Sequence, residues 1–140
     1  MQKHSYILSP IVLLTLLFPS FAYGVTMDDL VKRDGLYHKK FTDVPFTGKT
    51  TGFVKGTFKN GKKNGTWVIY YDNGQLLTKS TYKDGKLDGP VVQYSPNGKV
   101  VSTGTFKDGR MDGGWQYYNE DGSKDLDLSG TYKNGKKISD

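Results

Sequence analysis

One glycine-punctuated segment is written three times in this chain and begun a fourth time. The copies run Thr57–Gly74, Thr81–Gly98 and Thr105–Gly122, and Thr131–Lys137 opens another. An aromatic residue precedes a lysine at Phe58, Tyr82, Phe106 and Tyr132, in steps of 24, 24 and 26. A fixed period in this range marks a repeat architecture, in which each unit buries its apolar surface against its neighbours.

Each copy holds two turn signals. Gly61, Gly85, Gly109 and Gly135 form one set, and Gly74, Gly98 and Gly122 the other, each after Asn or Asp. Type I′ hairpin turns need positive φ at both central residues, which Asn-Gly and Asp-Gly tolerate best. The runs between them, such as Thr66–Tyr71 and Gln75–Tyr82, are rich in Trp, Val, Ile, Tyr and Thr, as strands are. Turns at both ends of every strand predict an all-β fold, an elongated antiparallel meander of successive hairpins. They argue against a parallel solenoid. A further glycine follows the first set by four, at Gly65, Gly89 and Gly113, and predicts a bulge just inside the turn.

Trp67, Val91 and Trp115 recur in register, as do Tyr70, Tyr94 and Tyr118. They are expected to stack across neighbouring strands on one face. Two readings are open: a core ladder, or an exposed aromatic strip for a partner. Taking Asn73-Gly74 as a two-residue turn puts Trp67, Ile69, Tyr71, Leu76 and Tyr82 on one face, and Val68, Tyr70 and Leu77 on the other. Both faces then carry apolar groups.

In a meander, alternate turns share an edge. The first turn set carries Lys62, Lys63, Lys86 and Arg110 with further lysines, diluted by Asp84, Asp88, Asp108 and Asp112. The second set carries Asp72, Glu120 and Asp121. One basic edge and one neutral-to-acidic edge are expected. The basic edge suits an anionic partner, and lysines there also blunt aggregation.

Residues 1–24 read as a cleavable secretory leader. Lys3 is followed by the apolar stretch Ile7–Phe21, broken by Pro10 and Pro19, and by Ala22-Tyr23-Gly24. The unbroken apolar run is far shorter than the ~20 residues of a spanning helix. Export, to the periplasm or beyond, is the expectation. The whole chain carries +6; without Lys3 it carries +5. There is no cysteine, so disulfides and thiol chemistry are excluded.

Residues 25–56 form a lead-in that is not a clear copy. Leu30–Phe41 reads as two short strands around Asp34-Gly35, or as a short helix capped by Thr26 with Asp28 and Asp29 in its first turn. Lys49–Phe58 resembles the second half of a repeat whose first half has changed. The array fills 57–140, as repeats 57–80, 81–104, 105–130 and a partial 131–137.

No catalytic constellation stands out. His38 is the one histidine beyond the leader. Asp121, Asp125 and Asp127 lack the spacing of a calcium loop. No metal, cofactor or nucleic acid is expected, and the protein is not expected to be an enzyme. The candidate binding residues are Trp67, Tyr70, Tyr94, Trp115 and Tyr118 on the sheet, with Lys62, Lys63, Lys86 and Arg110 at the edge.

At these positions the chain resembles MORN-type repeat proteins of the variant kind, in the group labelled YwqK-family antitoxins. Phe58/Gly61/Gly65/Trp67/Tyr70/Gly74 and Phe106/Gly109/Gly113/Trp115/Tyr118/Gly122 fit the family's unit, and the middle copy departs by Val91. The lead-in at Asp34–Tyr37 and Pro45–Gly48 is similar to what precedes the repeats in that group. The resemblance spans about Leu30–Lys137. It implies hairpin sheets and protein or membrane binding. Its label implies a toxin partner, whereas a leader points away from the cytoplasm. The expected function is a non-enzymatic exported scaffold that binds a protein or an anionic envelope component. An immunity-type protein neutralising a toxin, and a cell-wall-acting enzyme or enzyme inhibitor, are the alternatives.

Overall fold

In a computed structural model, residues 24–140 are described. The leader expected over residues 1–24 therefore lies, but for Gly24, outside the described residues.

A single 3-10 turn, Met27–Asp29, comes first. Both readings of the lead-in are partly right. Thr26 donates its backbone N–H and its hydroxyl to the Asp29 carboxylate, each at 2.8 Å, so the capping signal is real. It stops after one turn because Leu30 turns extended, and a hairpin follows. Strands β1 (Leu30–Arg33) and β2 (Leu36–Lys39) pair around Asp34-Gly35 as a separate two-stranded sheet.

The rest is one antiparallel sheet. In chain order it comprises β3 (Gly48–Thr50), β4 (Val54–Lys59), β5 (Lys62–Tyr70), β6 (Leu76–Lys83), β7 (Lys86–Tyr94) and β8 (Val100–Lys107). It continues with β9 (Arg110–Met111), β10 (Gly113–Tyr118), β11 (Lys124–Lys133) and β12 (Lys136–Ser139). Neighbours in sequence are neighbours in the sheet, except that β9 and β10 both pair with β8. This is the expected meander of hairpins.

The two turn sets differ. Asn60-Gly61, Asp84-Gly85, Asp108-Gly109 and Asn134-Gly135 have positive φ at both residues, from 49° to 86°, as type I′ turns require. At the second set only Gly74, Gly98 and Gly122 are positive, with φ of 82°, 82° and 89°. There the N–H of Gly74 donates to Tyr71 O at 2.9 Å, and the N–H of Tyr71 donates to Gln75 O at 2.8 Å. Asn73-Gly74 is thus not a two-residue turn. It is a longer loop closed by a glycine in the left-handed region; Leu76 pairs with Tyr70 and joins its face, against expectation, while Trp67, Ile69 and Tyr82 share the face expected for them.

Bulges sit where the second glycines predict them. Register shifts fall between Lys55 and Thr57 and between Ser80 and Tyr82, opposite Gly65 and Gly89. The step of 26 has its own outlet. Gln116 faces the stretch between Asp125 and Gly130, and the added residues bow out of β11, leaving Leu126 71% and Leu128 51% exposed.

The core of this single layer is one row crossing the sheet: Thr50, Gly56, Trp67, Ser80, Val91, Gly104, Trp115, Gly130. Large side chains alternate with small ones. Trp67 lies over Gly56 and Trp115 over Gly104, each so close that a Cβ on the glycine would overlap the indole. Where the large residue is Val91, its neighbour is Ser80. A second line flanks the row. Phe58 and Tyr82 bracket Trp67, with ring centroids 4.9 and 6.0 Å away, and Phe106 and Tyr132 bracket Trp115 at 5.2 and 6.3 Å. All four pairs are edge-to-face, a geometry that adds about 0.5–1.5 kcal/mol each to the burial itself. Phe58 is fully buried, because Tyr37 and Phe46 of the lead-in close over it at 4.8 and 5.7 Å.

Candidate functional site

The type I′ turns form a ladder. The N–H of Gly85 donates to Lys63 O, that of Gly109 to Leu87 O and that of Gly135 to Met111 O, at 2.9, 2.7 and 2.9 Å. Each turn is thereby fixed to the strand of the hairpin before it. The lead-in supplies the first rung: Gly61 donates to Phe46 O and accepts from the Tyr37 N–H, both at 2.8 Å. The small hairpin therefore caps the array and adds its own turn to the same edge.

This ladder holds the lysines in a row. Lys62, Lys86 and Arg110 are exposed at the start of their strands. An open groove of about 760 Å³ runs between the second and third turns, with Lys62, Lys83, Lys86 and Lys107 along it and Asp84, Asp88, Asp108 and Asp112 interspersed. Toward the C-terminal end acidic residues are engaged: Asp112 pairs with Lys133 at 3.0 Å, and Asp88 accepts the N–H of Asp108 at 3.2 Å.

The first part of the edge differs. A cleft of about 260 Å³ opens between the lead-in hairpin and the first two turns. It is lined by Lys32, Tyr37, Lys62, Lys63, Tyr82 and Lys86, with Asp84 its one acid. Lys63 is half-buried in it. Its Nζ stands 4.4 Å from the Trp67 ring centroid and 5.0 Å from that of Tyr82. Such placement over ring faces is favourable for a cation, but no carboxylate or other acceptor reaches the ammonium among the described residues. Burial, and then the nearby charge of Lys32, push the Lys63 pKa below the ordinary lysine value of 10.5. Burial, and then Tyr37, push the Tyr82 phenol above its ordinary value, against a hydrogen bond from Ser80.

The aromatic candidates separate. Trp67 and Trp115 are 1% and 4% exposed and belong to the core row. Tyr70, Tyr94 and Tyr118 lie three residues on, an odd step in an alternating strand, and so occupy the opposite face. Lys55, cross-strand to Val68, places its Nζ 4.9 Å from the Tyr70 ring on that face. The expected stacking of both aromatic sets on one face is therefore incorrect. The three tyrosines are half-buried and remain accessible. Sequence reasoning overlooked Lys32, Tyr37 and Tyr82 as cleft walls, because the docking of the lead-in hairpin carries no local sequence signal.

The geometry has a counterpart among known families. The description MORN repeat variant matches residues 63–84 and 87–108. These stretches are MORN-variant repeats. Each matched unit starts just past a type I′ turn and closes at the next one. No curated protein matches the chain. Phe106–Gly122 continues the same geometry one repeat further, with Trp115 in the place of Trp67.

Proposed function

We propose that this chain is a non-enzymatic binding scaffold, exported by its leader, that contacts a protein or an anionic envelope component through the type I′ edge. The observation that carries this reading is the glycine ladder. It fixes successive turns at 2.7–2.9 Å hydrogen bonds and so holds a lysine-rich row in a rigid array. Rigid presentation lowers the ordering cost of binding, and an edge with more basic than acidic side chains speeds encounter with an oppositely charged surface. The MORN-variant match supports a scaffold role.

The test compares three forms of the protein as bait in cell-envelope extract. One is wild type, one has Lys62, Lys86, Lys107 and Arg110 changed to Glu, and one has Lys49, Lys55, Lys79 and Lys124 changed to Glu. The same species should be retained by wild type and by the control set, and lost from the edge set. Equal retention by all three, or by none, overturns the reading. Terminal sequencing of the cell-associated protein should begin at Val25; an intact Met1 would reject export.

A further inference from the structure

The repeats act as controls for one another. The residue whose carbonyl receives the next turn's glycine N–H is Lys63 in the first repeat, Leu87 in the second and Met111 in the third. The ladder thus accepts an apolar side chain here and does not require an ammonium. Lys137 holds the same place after the last turn, but its Nζ is compensated by the Asp140 carboxylate at 2.7 Å and by Asp127 O at 2.8 Å. Lys63 alone of the four is a cation without an acceptor among the described residues.

The next position sharpens the contrast. Asp88 and Asp112 follow Leu87 and Met111, whereas Asn64 follows Lys63. The first repeat therefore lacks the carboxylate present at the later turns, at the place where it carries a half-buried charge. Lys32 of the lead-in hairpin adds another cation to the same cleft. Four lysines against Asp84 leave a net +3. An arrangement that raises self-repulsion and desolvation at once is unfavourable for the fold alone.

We propose that this cleft is a binding site for a multiply charged oxyanion of the phosphate type, with Lys63 at its base and Lys32, Lys62 and Lys86 around it. Ammonium groups recognise such an anion as point charges on flexible stems, so they converge on it without a fixed fork. Tyr37 and Tyr82 wall the cleft and lower the local dielectric, which strengthens the attraction. The proposal deepens the basic-edge reading by naming a ligand class for its first segment, and it rests on that reading. The anion belongs either to a soluble phosphorylated molecule or to a membrane headgroup.

The test uses the exported chain, labelled with ¹⁵N, titrated with inorganic pyrophosphate while the Trp67 indole N–H and the backbone of Lys62–Gly65 are followed. Sedimentation with phosphatidylcholine vesicles, with and without phosphatidic acid, forms the second arm. Lys63→Met is the central variant, because Met111 shows that the ladder accepts it; Lys79→Gln, exposed on β6 and outside the basic edge, is the control. Saturable shifts with pyrophosphate, weakened at least about tenfold by Lys63→Met and unchanged by Lys79→Gln, support a soluble source. Binding to phosphatidic acid vesicles alone, with the same dependence on Lys63, supports a headgroup source. No binding in either arm, or binding that Lys63→Met leaves intact, overturns the site. If the edge reversal abolishes partner capture while Lys63→Met does not alter pyrophosphate binding, the edge reading stands and this site falls.

Discussion

The indole of Trp67 lies against the backbone of Gly56, so close that a single added carbon at Gly56 would overlap the ring. The glycine has no positive φ, so the constraint is steric. Trp115 stands in the same relation to Gly104. Gly56→Ala and Gly104→Ala should each lower stability by about 1–3 kcal/mol, the usual cost of overpacking. The Ser80–Val91 pair shows how the row accommodates a larger neighbour. Trp67→Val should therefore restore part of the packing fit lost in Gly56→Ser, which a double-mutant cycle in urea would read as a favourable coupling. Additive losses would show that the two residues do not share space.

The two tryptophans are buried alike but bonded differently. Trp115 Nε1 donates to Thr105 O at 3.1 Å, whereas Trp67 Nε1 has no partner among the described residues. Replacement by Phe removes a hydrogen bond at one site and relieves an unsatisfied donor at the other. Trp115→Phe should cost about 1 kcal/mol more than Trp67→Phe in chemical denaturation. Equal costs would mean that Trp67 Nε1 finds a partner in solution.

How much of this was legible follows from how local each signal is. The type I′ turns were readable because Asn60-Gly61 and its copies need only their own two residues. The loop at Asn73-Gly74 contains the same dipeptide, yet its shape depends on the Tyr71–Gln75 closure beyond it. A parity argument carried through that loop misplaces Leu76, which pairs with Tyr70, while the unpaired Leu77 restores the parity and leaves Tyr82 on the face of Trp67. Grouping Trp67 with Tyr70 as one stacked face overlooked the odd step between them within a single strand. The place of Lys63 was half legible. Aligning the repeats sets it against Leu87 and Met111, but only the docked lead-in hairpin shows that Lys32 faces the same cleft.

The step of 26 offers a test of the repeat itself. The added residues bow out at Leu126–Leu128 rather than disturbing the Trp115–Tyr132 pair, whose centroids are 6.3 Å apart. Deleting Leu126 and Asp127 restores the step of 24. The fold should persist, with stability reduced by less than about 1 kcal/mol, because the deletion removes exposed hydrogen bonds from Lys137 to two carbonyls and leaves the core row intact. Near-ultraviolet circular dichroism should keep the tryptophan signal. Loss of that signal would show that the bulge sets the register of β11.

Lys63 gives a pH signature. Its folded-state pKa is depressed by burial and by Lys32, below the ordinary 10.5 that the unfolded chain retains. Between those two values the unfolded state binds more protons, so this group's contribution makes stability rise with pH. Its penalty is fully present below the folded pKa and is gone above about 10.5. Tyr82 and Tyr117, whose pKa values are raised chiefly by burial, act the other way: they favour the fold below about 10 and lose that effect as pH climbs through their folded values. A bare pH profile mixes the two, so the comparison must be with Lys63→Met. At neutral pH that variant should be at least as stable as wild type, because it removes an unpaired half-buried charge and keeps the cover over Trp67. The advantage should shrink steadily as pH approaches 10.5. A gap that does not change with pH would mean that the Lys63 ammonium is as well solvated in the folded chain as in the unfolded one, and would remove the energetic ground for reading its cleft as a site built for an anion.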